Sequence, residues 1–345
     1  MSRVAVVLFN LGGPDSLAAV EPFLFNLFAD PAIIALPNPL RYLLAKLIAH
    51  RRAPVARQIF ARIGNTSPLL ANTEAQARAL EAILGGGFKT FIAMRYWGPS
   101  CAAAAQAAQR WGAEEVVLVP LYPQFSSTTT ASSVRDWKHA ASAIGLQAPT
   151  RMICCYPSES GFIATLAGEI ARALAAWPAG LSAPRLLLSA HGLPKRIVAR
   201  GDPYQAQIEE TAAALRAALA RPELESIVTY QSRVGRLQWL EPATDAEIRR
   251  AGAEGRGLIV VPIAFVSEHS ETLVELDLEY AHVAEASGVP HYVRVPTVAA
   301  SAAFIDGLAR LVTEARAMPP DRPWADGGKP HCPRAAGLCL QRAQG

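Results

Sequence analysis

Short apolar runs of strand length alternate along this chain with stretches whose apolar residues recur at helical spacing, and that alternation admits few folds. The runs lie at Arg3 to Asn10, Lys89 to Tyr96, Val116 to Tyr122, Arg151 to Cys155, Leu186, Ile227, Leu258 and Tyr292. Between them fall Thr73 to Leu84, the alanine-rich Ala102 to Trp111, Phe162 to Trp177, Tyr204 to Leu219 and Ser301 to Arg316. Strand, helix and strand in succession build βαβ units and a parallel sheet. A chain of 345 residues, 51% of them hydrophobic, has apolar side chain enough for two packed cores. The expected fold class is therefore α/β, with two domains, each a parallel sheet flanked by helices. Residues 1–170 form the first, with an apolar lip, and 171–300 the second; 301–317 are a closing helix and 318–345 a Cys-bearing tail. The halves share an order of elements but no close sequence repeat.

Charge and composition exclude several classes. Charged residues make up 18% of the chain, the net charge is +4, and Lys and Arg are scattered, so the footprint of a nucleic-acid binder is missing. Met1 to Asn10 runs into Gly12-Gly13-Pro14 with no small-residue cleavage site, which reads as a first core strand and not a signal peptide. No apolar stretch approaches the roughly 20 residues of a bilayer-spanning helix. The expectation is a soluble, cytoplasmic protein, monomer or homodimer. Its five cysteines, Cys101, Cys154, Cys155, Cys332 and Cys339, are odd in number and sparse, which fits a reducing compartment. Gly12-Gly13-Pro14-Asp15 follows the first strand where a phosphate loop would sit, but it matches neither GxGxxG nor the P-loop. These glycines are read as letting backbone approach another ligand, and Asp15 or Ser16 as a cap for the next helix.

Pro31 to Arg52 breaks the alternation. Ile33, Ile34, Leu36, Leu40, Tyr42, Leu43, Leu44, Leu47 and Ile48 are apolar, Pro37 and Pro39 interrupt them, and Arg41, Lys46, His50, Arg51 and Arg52 add charge. Two readings stand: a core helix with a loop, or an exposed apolar lip suited to a flat, anionic, greasy ligand or a membrane surface.

Chemistry concentrates after two of the apolar runs. Arg185-Leu186-Leu187-Leu188 leads into Ser189-Ala190-His191-Gly192-Leu193-Pro194, and Leu258 to Ala264 leads into Phe265-Val266-Ser267-Glu268-His269-Ser270-Glu271, continuing through Glu275, Asp277 and Glu279. Both lie at the carboxyl ends of expected parallel strands, where open α/β sheets place their ligands. His191 titrates near neutrality, so general-base and metal-ligand roles are both open; the plainer reading is a hydrogen-bonded structural histidine. Glu268, Glu271, Glu275 and Glu279, three or four apart, would share one face of a helix. A solvated acidic face is the plainer alternative, but the run directly continues a buried strand. Crowded carboxylates raise one another's pKa, which suits proton relay or transient capture of a divalent cation. No HExxH spacing appears, and the oxygen and imidazole donors suit labile Fe(II) better than structural zinc.

Several longer motifs in order resemble the ferrochelatase family over nearly the whole chain. They are Leu8-Phe9-Asn10-Leu11-Gly12-Gly13-Pro14, Arg95-Tyr96, Tyr122-Pro123-Gln124-Phe125-Ser126, the His191 segment, Gly201-Asp202-Pro203-Tyr204, Tyr230-Gln231-Ser232-Arg233-Val234-Gly235, Trp239-Leu240 and the acidic run to Tyr280. The resemblance implies two Rossmann-like (chelatase-like) domains with an interdomain porphyrin cleft, the chain end returning to the first domain, and an enzyme inserting Fe(II), its substrate, into protoporphyrin IX. It implies His191 as active-site histidine, Glu271 and His269 in the acidic wall, and metal binding by His191 and Glu271, with Glu268 and Glu275 on a proton or metal path. Leu11, Arg95, Tyr96, Tyr122, Trp239 and Phe265 match porphyrin-pocket positions, and Arg52 and Ser67 match lip residues near the propionates. Coproporphyrin as substrate, a non-catalytic porphyrin or metal carrier, and peripheral contact with the inner face of a membrane stay open.

Two departures stand out. Arg236 replaces a proline common after Val-Gly. Some members hold a [2Fe-2S] cluster on one internal and three carboxyl-terminal cysteines, whereas this tail has only Cys332 and Cys339. Cys155 or Cys154 is the internal candidate, and His331 or Cys101 the candidate for completing the set; packing as small hydrophobes is the alternative.

Overall fold

The computed structural model describes residues 2–233, 235, 237–320, 322–328, 331–333 and 336–340. β1 (Val4–Asn10) is buried at every position, as a strand covered by helices on both faces must be. It pairs in parallel with β2 (Phe88–Met94) on one side and β3 (Glu115–Pro120) on the other. β4 (Thr150–Cys155) continues in parallel from β3, and the short β9 (Pro323–Ala325) ends the sheet, giving the order β2-β1-β3-β4-β9. Helices α1 (Val20–Phe28), α2 (Leu40–Ala61), α3 (Leu69–Leu84), α4 (Cys101–Trp111) and α5 (Thr130–Ala143) fall between these strands.

The second sheet holds β5 (Arg185–His191), β6 (Ser226–Gln231), β7 (Leu258–Pro262) and β8 (Tyr292–Arg294) in the order β6-β5-β7-β8, each neighbouring pair parallel. Around it in sequence are α6 (Ser160–Ala175), α7 (Lys195–Ala199), α8 (Tyr204–Leu219), α9 (Thr244–Ala253), a π-helix (Glu271–Glu279), α10 (Tyr280–Ala286) and α11 (Ala302–Arg316). Residues 1–154 with 309–324 form one compact unit and residues 155–308 with 325–345 another.

Both sheets follow one plan, so the duplication is architectural. In each, the first strand lies between the second and the third, and the chain reverses its direction across the sheet there. Ligands of open α/β sheets bind beyond the carboxyl ends of the strands flanking such a reversal. Leu11 and Tyr122 follow β1 and β3; His191 ends β5, and the acidic run follows β7.

The segment from Pro31 to Arg52 forms turns and the first half of α2. Ala49, Ala53 and Phe60 pack against Val20 and Leu24 of α1, whereas Leu40, Leu43 and Leu47 are 58%, 66% and 46% exposed. Small residues face the core and leucines face out, the reverse of an ordinary amphipathic helix. Ser16 does not cap α1, which begins at Val20; its hydroxyl accepts from the Ala19 amide at 3.2 Å and stabilises the preceding turn.

The amino-terminal edge of the second sheet carries its own charge network. Arg185, first residue of β5 and buried, places Nη2 2.9 Å from Glu225 and 2.5 Å from Glu254. Arg250 reaches the same two glutamates at 3.3 Å each, and Arg256 lies 3.5 Å from Glu225. Burial opposes the charge of Arg185, but the two carboxylates raise its pKa further.

Candidate active site

His191 is placed by three backbone contacts. The Gly192 amide donates to the Gln231 carbonyl at 2.8 Å, and a Cβ on Gly192 would stand 2.7 Å from that same oxygen. Only glycine lets the end of β5 lie this close to the end of β6. Asp202 accepts from the Tyr204 amide at 3.0 Å, and the Tyr204 hydroxyl, in the first turn of α8, donates to the His191 carbonyl at 3.1 Å. That explains the Gly201-Asp202-Pro203-Tyr204 motif: it steadies the histidine from behind.

In front of it, His191 Nδ1 lies 2.9 Å from Glu271 Oε2, and His269 Nε2 lies 3.6 Å from the same oxygen. The side chains of His191 and Glu271 are 41% and 33% exposed, so the pair is open to a ligand. Phe265 stacks on His269, ring centroids 4.6 Å apart, while His269 Nδ1 donates to the Ser267 carbonyl at 3.1 Å. Burial alone would favour neutral forms. The charge and hydrogen bond of His191, joined by His269, overcome it and hold the Glu271 carboxyl well below the usual carboxylate range. For His191, burial is likewise outweighed by Glu271 and Glu275, which raise its pKa. Each member of the pair thus favours the charged form of the other.

Glu275 sits differently. It accepts from the Ser232 amide at 2.7 Å, from Gln231 Nε2 at 3.1 Å, from the Tyr280 hydroxyl at 3.0 Å and from the Ser232 hydroxyl. Ser232 adopts a positive φ of 59° to aim both donors. Even so, burial and the nearby charge of Glu271 raise the Glu275 pKa. Gln231 ties the parts together, for its Oε1 accepts from Ser189 at 2.9 Å while Nε2 also donates to the Glu271 carbonyl at 3.1 Å. Trp239 lies against the same turn, its Cε3 3.3 Å from where a Gly192 Cβ would be.

The acidic run is a π-helix where α-helical spacing was expected. Such helices are rare and concentrate at functional sites. Thr272, Val274 and Leu276 are buried and Glu279 is exposed. Glu268, just before the helix, accepts from Arg294 Nη1 at 2.6 Å and from the Thr297 amide at 2.9 Å. Burial would raise its pKa; the Arg294 charge and these hydrogen bonds lower it.

The first unit gathers its own set. Past β1, the Asn10 and Leu11 carbonyls accept from the Arg95 and Tyr96 amides at 2.8 and 2.9 Å. Arg95 donates to buried Asp30 at 2.8 Å and to Ser132 at 2.7 Å, the Tyr96 hydroxyl donates to Asp30 at 3.0 Å, and the Arg95 guanidinium lies 5.0 Å from the Tyr96 ring. Burial of Asp30 is overcome by Ser132, the Ala32 amide and Arg95, which lower its pKa. A cavity of about 830 Å³ is lined by Asp30, Tyr42, Arg95, Tyr96, Trp97 and Asp136. Tyr122 is buried after β3. Ser67 packs where a Gly13 side chain would be, 2.3 Å from its ideal Cβ, and its amide donates to the Pro14 carbonyl at 2.8 Å. Arg52, exposed on α2, lies over the Phe28 ring at 5.9 Å.

The cysteines divide. Gln207 Nε2 lies 3.3 Å from Cys155 Sγ and 3.4 Å from Cys332 Sγ, and Cys332 meets both Cys155 and Cys339. Hydrogen bonds with those two sulfurs, together with burial, push the Cys332 thiol up. Cys154 occupies the next position on β4, where side chains alternate between faces, and Cys101 opens α4 in the other unit. His331 has both ring nitrogens engaged, by Glu210 at 2.5 Å and the Asp326 carbonyl at 2.7 Å. Among the described residues three cysteines therefore meet without a fourth, which does not match the four-ligand requirement of a [2Fe-2S] centre. No group of three or more His, Cys, Asp and Glu among the described residues is arranged to hold a metal ion.

Sequence reasoning passed over Arg294, Asp30 and Tyr280. The first two could have been sought as counter-charges, one for the acidic run and one for Arg95. Arg236 lies outside the described residues.

Comparison with known proteins bears on the chain as a whole. The ferrochelatase family matches residues 3–316. A ferrochelatase of Phenylobacterium zucineum (strain HLK1) is 50% identical, covering 99% of each chain, and one of Caulobacter vibrioides (strain NA1000 / CB15N) is 52% identical, covering 90% of each. In structure the chain is similar to SirB from Bacillus subtilis with Fe3+, with a TM-score of 0.50 and 11% identity, covering 91% of this chain and 96% of that one; this likeness concerns the fold alone. The chain belongs to the ferrochelatase family, enzymes that insert a metal into a porphyrin.

Proposed function

We propose that this chain inserts Fe(II) into protoporphyrin IX, giving protohaem and releasing two protons, as the last step of haem biosynthesis. The observation that carries the reading is the His191–Glu271 pair, at 2.9 Å and open to a ligand beyond the ends of β5 and β7. Metallation makes three demands: iron must shed water, two pyrrole N–H protons must leave, and the macrocycle must bend to expose its nitrogen lone pairs. With Nδ1 engaged by Glu271, His191 offers Nε2 as the proton acceptor, and the carboxylate behind it strengthens that base. Glu271, held ionised, suits replacement of water on an arriving cation. Glu275, whose raised pKa brings it nearer neutrality, suits the onward passage of protons. The family resemblance assigns Leu11, Tyr96 and Tyr122 of one unit and Trp239 and Phe265 of the other to porphyrin contact, and bending the macrocycle takes a strain of roughly 1–5 kcal/mol drawn from binding its periphery. Arg52 and Ser67 are assigned to the propionates.

Anaerobic Fe(II) insertion, followed by porphyrin absorbance, is expected to be faster with protoporphyrin IX than with coproporphyrin. A higher kcat/KM with coproporphyrin would replace the substrate assignment, and tight binding of both without turnover would make the protein a carrier.

The outward leucines of α2 support a second element: peripheral attachment at the inner face of the cytoplasmic membrane. Among the described residues no helix is long and apolar enough to cross a membrane, but Leu40, Leu43 and Leu47 are exposed above Arg51 and Arg52. Such a face binds anionic lipid through apolar area and charge together. Charging it with Leu43→Glu and Leu47→Glu is expected to lower co-sedimentation with anionic liposomes at least about tenfold, since each substitution removes an exposed side chain whose burial in lipid is worth roughly 1.5–3 kcal/mol. Unchanged co-sedimentation would exclude the attachment.

A further inference from the structure

The carboxylates of the acidic run are not electrically equivalent. Glu271 is paired with histidines and Glu275 with hydroxyl and amide donors. Glu268 and Asp277 instead share one cation. Arg294, the last residue of β8 and 9% exposed, donates from Nε to Asp277 Oδ1 at 2.7 Å and from Nη2 to Asp277 Oδ2, while Nη1 reaches Glu268 Oε1 at 2.6 Å. Two residues earlier on β8, the Tyr292 hydroxyl donates to the Leu276 carbonyl at 2.8 Å. The π-helix is thus fastened to β8 through the adjacent positions Leu276 and Asp277, and Glu268, three residues before the helix, is held by the same strand.

We propose that Arg294 is a positioning residue for metallation: it clamps Glu268 and Asp277 to β8, withdraws both from metal and proton traffic, and leaves Glu271 and Glu275 as the working carboxylates. This rests on the reading of His191 and Glu271 as the reacting pair. A planar guanidinium alone can do it, because one face of the fork meets both oxygens of Asp277 while the remaining nitrogen meets Glu268. An ammonium at the same place would hold one carboxylate or the other. Without the clamp, two carboxylates would be released beside the place where a divalent cation is delivered, and they would compete for it. The π-helix that carries Glu271 would also lose its attachment.

Arg294→Gln is expected to lower kcat for Fe(II) insertion by about 10–100-fold, the usual effect of removing a group that orients a metal site, with the KM for porphyrin unchanged. Titration calorimetry with Zn(II) alone should show binding at least about tenfold tighter than in the wild type, by the same reasoning in reverse. Adding Glu268→Gln and Asp277→Asn to that variant should return Zn(II) affinity to the wild-type value. Arg294→Lys should fall between wild type and Arg294→Gln in both measurements, and it serves if Arg294→Gln does not fold. A folded variant at position 294 with wild-type Zn(II) affinity, or with wild-type kcat, overturns the proposal. A wild-type protein that metallates no porphyrin would overturn the functional reading instead, and the Zn(II) comparison would still decide the clamp.

Discussion

His191→Ala is expected to abolish metal insertion while the second sheet stays folded. In the proposed reaction the imidazole accepts the departing pyrrole protons, and removing a positioned general base costs about 10²–10⁴-fold in rate. Its loss also leaves Glu271 with only His269, at 3.6 Å, so the carboxylate that meets the metal loses its nearer partner. The fold should notice little. The side chain is 41% exposed at the end of a strand, and an ion pair this open contributes about 0–1 kcal/mol. Porphyrin absorbance and a thermal melt on the same preparation separate the two effects. Activity above a tenth of wild type would remove His191 from the reaction.

Glu271→Gln is expected to have the second largest effect, and a diagnostic one. Glu271 raises the pKa of His191 against the pull of burial, so the amide should let it fall back towards its ordinary value. A base works only when deprotonated. The rising acid limb of the pH–rate profile should therefore move to lower pH in the variant, even as the maximum rate drops by about 10–100-fold. Stability gives an independent reading of the pair. His191, with its pKa raised above its ordinary value of 6.5, contributes fully below pH 6.5 and loses its contribution as pH climbs through the folded value. Glu271, lowered from 4.5, contributes fully above pH 4.5 and loses its contribution as pH falls through the folded value. The difference in Tm between wild type and Glu271→Gln should thus be widest between pH 4.5 and 6.5 and shrink as the pH climbs through the raised His191 value. A difference that grows with alkalinity, or an acid limb that does not move, would mean that the two groups do not titrate as a pair.

Much of this site is legible in the sequence because parallel strands announce their own ends. Leu186 to Leu188 and Leu258 to Val261 are buried runs, and polar residues directly after such runs have only the sheet's carboxyl edge to occupy. His191 and Glu271 follow from that. Contacts made across the sheet do not. Arg294 meets Asp277 and Glu268 from a strand three residues long, too short for periodicity to mark, and nothing in its neighbours Val293 and Val295 points to a carboxylate. The π-helix is hidden for another reason: glutamates four apart look the same whether the backbone bonds close on the fourth residue or the fifth. The inverted face of α2 is half legible, since its leucines and alanines both lie at helical spacing and only packing against α1 decides which set is buried.

Because every strand of the second sheet points the same way, the two ends of that sheet are unlike, and the difference matters to how the protein can change. One end holds His191, Glu271 and Glu275, the groups assigned to the proposed reaction. The other holds Arg185 with Glu225, Glu254, Arg250 and Arg256, a lattice of charge with no chemistry to perform. Stabilising substitutions usually cost activity where they stiffen or neutralise a working site. Here the full length of the strands separates the two, so selection or an engineer can raise the melting temperature from the Arg185 end without negotiating with the reaction.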